Sequence, residues 1–197
     1  YESPDERGVD VALLYDSTKV KILNHKPLRI DLQGDKTRDI LYACCLINKQ
    51  DTIHAMVCHL PSKLGGSGAT QWKRDMAKQV LQQEIDSILS LHSSANIVVM
   101  GDMNSEPIDD LVGLINVTKY LEKEGKGTHK YKGIWSCLDQ FYVSSHLLEE
   151  SSVSIFSPEW LLEEDTKYLD YQPKRTYAGY RYHDGYSDHL PIVLHLN

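Results

Sequence analysis

"VVMGDMNSEP", residues 98–107, decides how this chain is read. A short apolar run (Ile97, Val98, Val99, Met100) stops abruptly at Gly101, Asp102, Met103 and Asn104. Asp, Asn and Gly are common turn formers, so the plain reading is a strand closed by a turn. An acid and an amide two positions apart would also share one face of a continuing strand. The other apolar runs decide between a turn and a site.

Three of them carry polar residues where packing prefers apolar ones. His59 ends "IHAMVCHLP", Asp139 interrupts "SCLDQFYVS", and Asp188-His189 opens "SDHLPIVLHL". A lone strand-end His is ordinarily a surface residue, and Asp188-His189 alone is a plain loop-to-strand junction. Asp139 is harder to dismiss, because Asp disfavours strands and a buried charge is costly unless paired or metal-bound. Taken together, a His, an Asn and several Asp at the ends of apolar strands are the inventory of a metal-assisted phosphoester hydrolase. In-line attack needs a carboxylate to orient or deprotonate a water. It needs positive charge at the developing phosphorane, from an imidazolium or from magnesium, which prefers hard oxygen ligands. On this reading Asp102 holds the water and the Asn104 amide donates to a phosphate oxygen.

Composition sets the outer bounds. The 197 residues suit one domain with a sizeable core. A formal net charge of -7 argues against a surface that coats nucleic acid, though not against a pocket gripping one or two phosphates. Cys44, Cys45, Cys58 and Cys137 form no C-x-x-C pair and read as free, buried thiols. No apolar run reaches the length of a membrane span.

Along the chain, strands are expected at Val9–Tyr15, within Val20–Leu32, at Ile40–Ile47 and Thr52–Leu60 as a hairpin, and at Ile97–Met100. Further strands are expected at Ile134–Ser144, Ser152–Phe156 and Leu190–Leu196. The clearest helix is about Thr70–His92, with Ala77, Val80, Leu81, Ile85, Ile88 and Leu89 on one stripe and Thr70 or Ser67 as its cap. Asp109–Asn116 suggests a short helix, Tyr120–Gly133 a loop, and Leu161–Tyr186 irregular structure. The pattern is α/β in the broad sense, an α+β or mixed layered fold.

"GDMN", "LDQFYVS" and "SDHLPI", in that order and preceded by "RGVDVALLY" and "HLPSKLGG", resemble the endonuclease/exonuclease/phosphatase superfamily, the fold of deoxyribonuclease I. The resemblance runs over nearly the whole chain, residues 1–197, as one domain. It implies a four-layer α/β/β/α sandwich with its site at one end of two packed sheets. It implies a metal-dependent phosphoesterase acting on a phosphodiester or phosphomonoester, a nuclease among the candidates, with Mg2+ (or Mn2+) as cofactor. By the same resemblance His59 acts near the leaving group, Asp102 orients the attacking water, Asn104 holds phosphate, Asp139 pairs with His189, and Asp188 takes part in metal binding. Complete members carry further strands and helices ahead of the "RGVDVALLY" strand, including an Asn and the Glu that is the main metal ligand. Only seven residues precede Gly8 here, so the chain is expected to be the C-terminal part of a longer protein.

Other signals are weaker. "KLGGSGAT" offers free N–H groups to a phosphate, with Lys63 and Arg74 adding charge. Tyr177, Tyr180, Tyr182 and Tyr186 precede the Asp188-His189 pair and either stack on a base or sugar or pack as a loop. The partner implied is a phosphate-ester substrate, with nucleic acid within the family's range. The alternative is a family domain kept as a non-catalytic binding module.

Overall fold

The computed structural model describes residues 2–63, 65–107, 111–149 and 151–196. Its centre is a six-stranded mixed sheet built from β1 (Val20–Leu28), β2 (Ile40–Ile47), β3 (Asp51–His59), β4 (Asn96–Asp102), β5 (Leu114–Asn116) and a later strand, Asp139–Ser144. That later strand is β8, following α1 (Ser67–Leu91), α2 (Lys119–Lys123), β6 (His129–Tyr131) and β7 (Ile134–Ser136). The sheet order is β1-β2-β3-β4-β8-β5. β3 and β4 run parallel, joined by the α1 crossover, and the other neighbours are antiparallel.

Helix α1 covers one face. Ala77, Leu81, Ile85 and Ile88 return every three or four positions and are buried against Met56, Ile97, Val99 and Tyr142. Each buried aliphatic side chain of this size contributes about 1.5–3 kcal/mol relative to exposure. On the far face, β9 (Ser151–Ile155) pairs antiparallel with the C-terminal strand Ile192–Leu196. Val153, Ile192 and Leu194 of that pair pack on Val98, Phe141 and Val143. Between them come β10 (Leu162–Asp165) paired with β11 (Asp170–Pro173), and β12 (Tyr177–Ala178) paired with β13 (Arg181–Tyr182), so the C-terminal strand is β14. Among the described residues no helix is long and apolar enough to cross a membrane.

Several expectations are corrected. Val9–Tyr15 forms no strand, and Leu14 is 90% exposed, because no neighbouring strand among the described residues supplies a ladder. Leu114–Asn116 is a strand rather than the end of a helix, while Asp109 and Asp110 lie outside the described residues. The supposed loop Tyr120–Gly133 holds the end of α2 and all of β6. Ile134–Ser144 is two strands, broken at Cys137 and Leu138, and Leu161–Tyr186 holds two hairpins. Gly66, not Ser67 or Thr70, occupies the N-cap of α1. Arg74, expected to contact substrate, has a structural role here. It is wholly buried and donates to the carbonyls of Pro61, Ser62 and Ser67 and to Thr70 Oγ1 and Gln71 Oε1, fastening the loop before α1.

One residue controls where β4 ends. Gly101 has φ 125°, and a Cβ there would lie 2.1 Å from the Cys58 carbonyl oxygen. Only glycine admits this approach of β4 to β3. Gly101→Ala is expected to destabilise the fold by at least about 2 kcal/mol, read as a lowered urea midpoint. A shift below about 0.5 kcal/mol would show that the close approach is dispensable.

Candidate active site

The sheet register assembles the site. His59 closes β3, Asp102 closes β4, and Asp139 opens β8; His59 pairs with Asp102 and Asp102 with Asp139. Alternation sends these three side chains to the face opposite α1, as it does Val98, Phe141 and Val143. The row therefore lies at one end of the sheet, beside the β9–β14 pair.

His189 arrives from the loop before β14 and closes the row. Its Nδ1 donates to Asp139 Oδ2 at 2.7 Å. Its position is fixed from two sides: its backbone N–H donates to Ser187 Oγ, and Leu190 N donates to the Thr128 carbonyl. A backbone bridge joins His189 to His129, and the two rings stand 4.8 Å apart, tilted by 44°. Thr128 Oγ1 also accepts the Asp139 N–H, so one residue braces both members of the pair.

Asn104 reaches Asp102 by a different route from strand alternation. β4 has ended, and Asn104 adopts a positive φ of 48° in a turn closed on Asp102. Asn104 N donates to Asp102 Oδ1 at 2.8 Å, and Asn104 Nδ2 donates to Asp102 Oδ2 at 3.0 Å and to the Leu60 carbonyl at 2.9 Å. In this geometry the amide N–H groups orient the carboxylate instead of facing an open cleft. Both oxygens of Asp102 are held, which fixes the direction of its remaining lone pairs.

Three further residues support the row from behind and were not singled out from sequence. Buried Arg38 donates to the carbonyls of His59 and Leu60 and pairs with Asp5 at 2.9 Å, the Arg7 guanidinium completing the cluster. Gln140, wholly buried, donates to the Ser105 and Cys137 carbonyls and accepts from Asn116. His129 stands beside His189. The signals were an Arg two residues ahead of the Ile40–Ile47 run and a second polar residue after Asp139; His129 carried none.

The charges are strongly coupled. Burial and the neighbouring Asp139 push the Asp102 carboxyl up to about 6, against the opposing pull of His189. Burial, followed by the positive charges of Arg38 and His189, pushes His59 down to about 4. His59 Nε2 lies 3.5 Å from Asp102 Oδ2, but a neutral imidazole makes this a polar contact and not an ion pair. Burial opposes charge on His189 as well, yet the Asp139 hydrogen bond and the carboxylates of Asp139, Asp102 and Asp188 outweigh it and raise His189 to about 8. Burial and the nearby His189 push His129 down to about 4.

Among the described residues, two clusters of side chains that could ligate a cation have their ligand atoms within 4.8 Å of one another: Asp102, Asp139 and His189, and His129, Asp188 and His189, although His189 while cationic has no lone pair to give. The first set supplies two carboxylates, which fits magnesium or manganese. Of the other expected substrate contacts, Lys63 stands on the exposed loop after β3, 3.2 Å from Glu106. Tyr186 lies near His189 on a shared pocket wall, its ring edge-on to Trp160. Tyr177 and Tyr182 meet edge to face across the β12–β13 hairpin, their ring centroids 5.5 Å apart.

With this geometry in view, the sequence profile of the Endonuclease/Exonuclease/phosphatase family matches residues 1–197. The human Nocturnin catalytic domain with bound sulfate anion is 17% identical and superposes with a TM-score of 0.54, over 91% of this chain and 60% of that one. Truncated Caenorhabditis elegans TDP2 is 14% identical, with a TM-score of 0.60 over 90% of this chain and 66% of that one. A mannosyl-6-phosphatase of Bacteroides thetaiotaomicron is 12% identical, with a TM-score of 0.55 over 93% and 69%. Likeness at these identities is likeness of fold. The chain spans about 60% of the Nocturnin domain and 66% of the truncated TDP2. Among curated protein sequences none matches.

The Asp139–His189 pair yields a pH prediction. A His whose folded pKa exceeds its unfolded value contributes stability that is complete below the unfolded value, about 6.5, and is lost as pH rises through about 8. Asp102, also raised, acts in the same sense, its contribution lost as pH rises through about 6. NMR titration should place His189 near 8 and, in Asp139→Asn, at least one unit lower. The stability advantage of the native chain over that variant should shrink between pH 6 and pH 9. An unchanged His189 titration in the variant would remove the pairing as its cause.

Proposed function

Because the chain belongs to the Endonuclease/Exonuclease/phosphatase family, we propose that the protein hydrolyses a phosphate ester by in-line attack of water at the Asp102–Asp139–His189 row. The observation that carries this reading is the register itself: His59, Asp102 and Asp139 abut on three neighbouring strands, and His189 is hydrogen-bonded to the last of them. Packing alone gives no reason to gather two carboxylates and two imidazoles at one sheet end.

The roles follow from the electrostatics. Asp102, held by Asn104 and raised to about 6, is ionised at neutral pH yet basic enough to take a proton from the attacking water. His189, kept cationic by Asp139, donates from its other ring nitrogen to a non-bridging phosphoryl oxygen and stabilises the charge that develops there. His59 is neutral at pH 7 and serves as a hydrogen-bond donor towards the ester oxygen that leaves, not as an acid. Asn104 positions Asp102. A divalent cation, Mg2+ or Mn2+, would be held by Asp188 together with carboxylates of the row, and supplies charge neutralisation at the phosphoryl oxygens when bound.

The finer architecture is part of the same proposal. A four-layer α/β/β/α sandwich, completed by strands and helices outside these 197 residues, is supported by the β9–β14 pair already lying on the far face of the central sheet. Leu23, half-exposed on β1, is consistent with further covering. The main Glu ligand and an Asn implied by the family resemblance would come with those elements, so the 197-residue chain alone is expected to be weakly active.

The test assays full-length protein and the 197-residue chain side by side on bis-p-nitrophenyl phosphate, plasmid DNA and sugar phosphates, with Mg2+ and with EDTA. Expected are EDTA-sensitive turnover by full-length protein and a fall in kcat of at least about 100-fold in Asp102→Ala and His189→Ala. Full-length protein inert on every substrate would replace the hydrolase with a binding module. Variants as active as the native protein would move the chemistry elsewhere.

A further inference from the structure

Beside the His189–Asp139 pair lies a pocket of about 450 Å³ lined by Phe156, Trp160, Leu161, Tyr186, Leu190 and Pro191. Its aromatic rings are unusually open to solvent: Phe156 is 47%, Trp160 55% and Tyr186 57% exposed. They are nevertheless ordered against one another. Phe156 and Trp160 meet edge to face at 6.2 Å, and Trp160 and Tyr186 at 5.2 Å. The backbone holds them in place, with Phe156 N donating to the Pro191 carbonyl and Tyr186 N to the Lys174 carbonyl. Lys174 Nζ stands 5.8 Å from the Tyr186 ring centroid, a cation at the rim.

We propose that this pocket is a stacking subsite for the nucleobase of a nucleotide ester whose phosphate sits at His189, so that the substrate of the proposed hydrolase is a short or single-stranded nucleotide chain. The inference rests on the phosphoesterase reading of the adjoining row. Four features choose the occupant. The polar groups of the lining are Asp139 and His189, which adjoin the proposed phosphate position, Ser187, whose Oγ accepts the His189 N–H, and the Trp160 indole N–H and Tyr186 hydroxyl at the edges of the rings. The walls are mainly ring faces and aliphatic surface, and a base presents a π-face to such rings without regard to its identity. An acyl chain would need an enclosed tunnel, and this pocket opens to solvent along exposed aromatic rings. Lys174 at the rim suits the next phosphate of a strand. The net charge of -7 opposes binding along a long duplex and favours a locally gripped strand. The stacking is expected to accept any base.

The test separates binding from turnover. Intact protein in EDTA is titrated with thymidine 5′-monophosphate, ribose 5-phosphate and phenyl phosphate, following the Trp160 indole N–H by NMR. Thymidine 5′-monophosphate should shift that signal and ribose 5-phosphate should leave it in place. Trp160→Leu and Tyr186→Leu should each weaken thymidine 5′-monophosphate roughly 5- to 150-fold while leaving ribose 5-phosphate unaffected. Both positions are more than half exposed, so the variants should keep the native fold, checked by their urea midpoints. Equal affinity for the base-bearing and base-free phosphates, or unchanged affinity in both variants, would overturn the subsite. Phenyl phosphate binding more tightly than the nucleotide would also overturn it, in favour of an aryl ester pocket. Base-dependent binding in a protein that hydrolyses nothing would leave the subsite standing and sink the hydrolase. Robust hydrolysis with binding indifferent to Trp160 would do the reverse.

Discussion

The approach of β4 to β3 at Gly101 is the constraint on which the site depends. At that point the strands pass so closely that no side chain fits between residue 101 and the Cys58 carbonyl. The next pair along is His59 with Asp102, then Asp102 with Asp139. A slip of one residue in either pairing would turn Asp102 or Asp139 into the α1 face, among Met56, Ile97 and Val99. Such a slip would bury a carboxylate without a partner, so packing and electrostatics enforce the same register. The glycine is thus a chemical determinant although it touches no substrate.

The buried charges form a graded set, not isolated ion pairs. Arg38, behind the sheet end, is held by Asp5 and by the His59 and Leu60 carbonyls. Its charge contributes to keeping His59 neutral and offsets part of the burial cost of Asp102. Asp139 keeps His189 cationic, and that cation in turn restrains Asp102. Neighbouring groups of like type are driven apart in proton affinity, His59 and His129 downwards and His189 upwards. This is the condition under which one cluster can present a donor and a base at the same pH.

The central residues were legible in the sequence because a charge inside an apolar run has few physical excuses. Asp139, Asp102 and His189 each carried that signal. Arg74 carried the opposite signal, and the helix period already contained it: 74, 77, 81, 85 and 88 follow one stripe, so Arg74 belongs with the buried face. A positive charge beside a Gly-rich loop suggests phosphate, but here the guanidinium fastens that loop to the helix. Val9–Tyr15 has the composition of a strand, yet a strand exists only by pairing, and a partner is a tertiary fact that composition does not contain. His129 was invisible because its place beside His189 comes from a bridge across 60 residues, with no local period to mark it. Asn104 was assigned to the right neighbourhood by the wrong geometry, since a turn and not a strand brings it to Asp102.

The tether at Thr128 has a mechanical consequence. Its side chain receives the Asp139 N–H and its carbonyl receives the Leu190 N–H, so the sheet end and the loop bearing His189 share one anchor. The same loop carries Tyr186, and through the Lys174 carbonyl it is fastened to the segment leading out of β11. The imidazole is therefore the inner end of a lever whose outer end is the aromatic rim. A load on the rim is transmitted to the His189 ring by a short run of backbone with few independent joints. Occupancy at the rim and alignment of the imidazole are in this sense one degree of freedom, and under the proposed phosphoesterase reading the molecule would register what is attached to a phosphate by how well that phosphate is held.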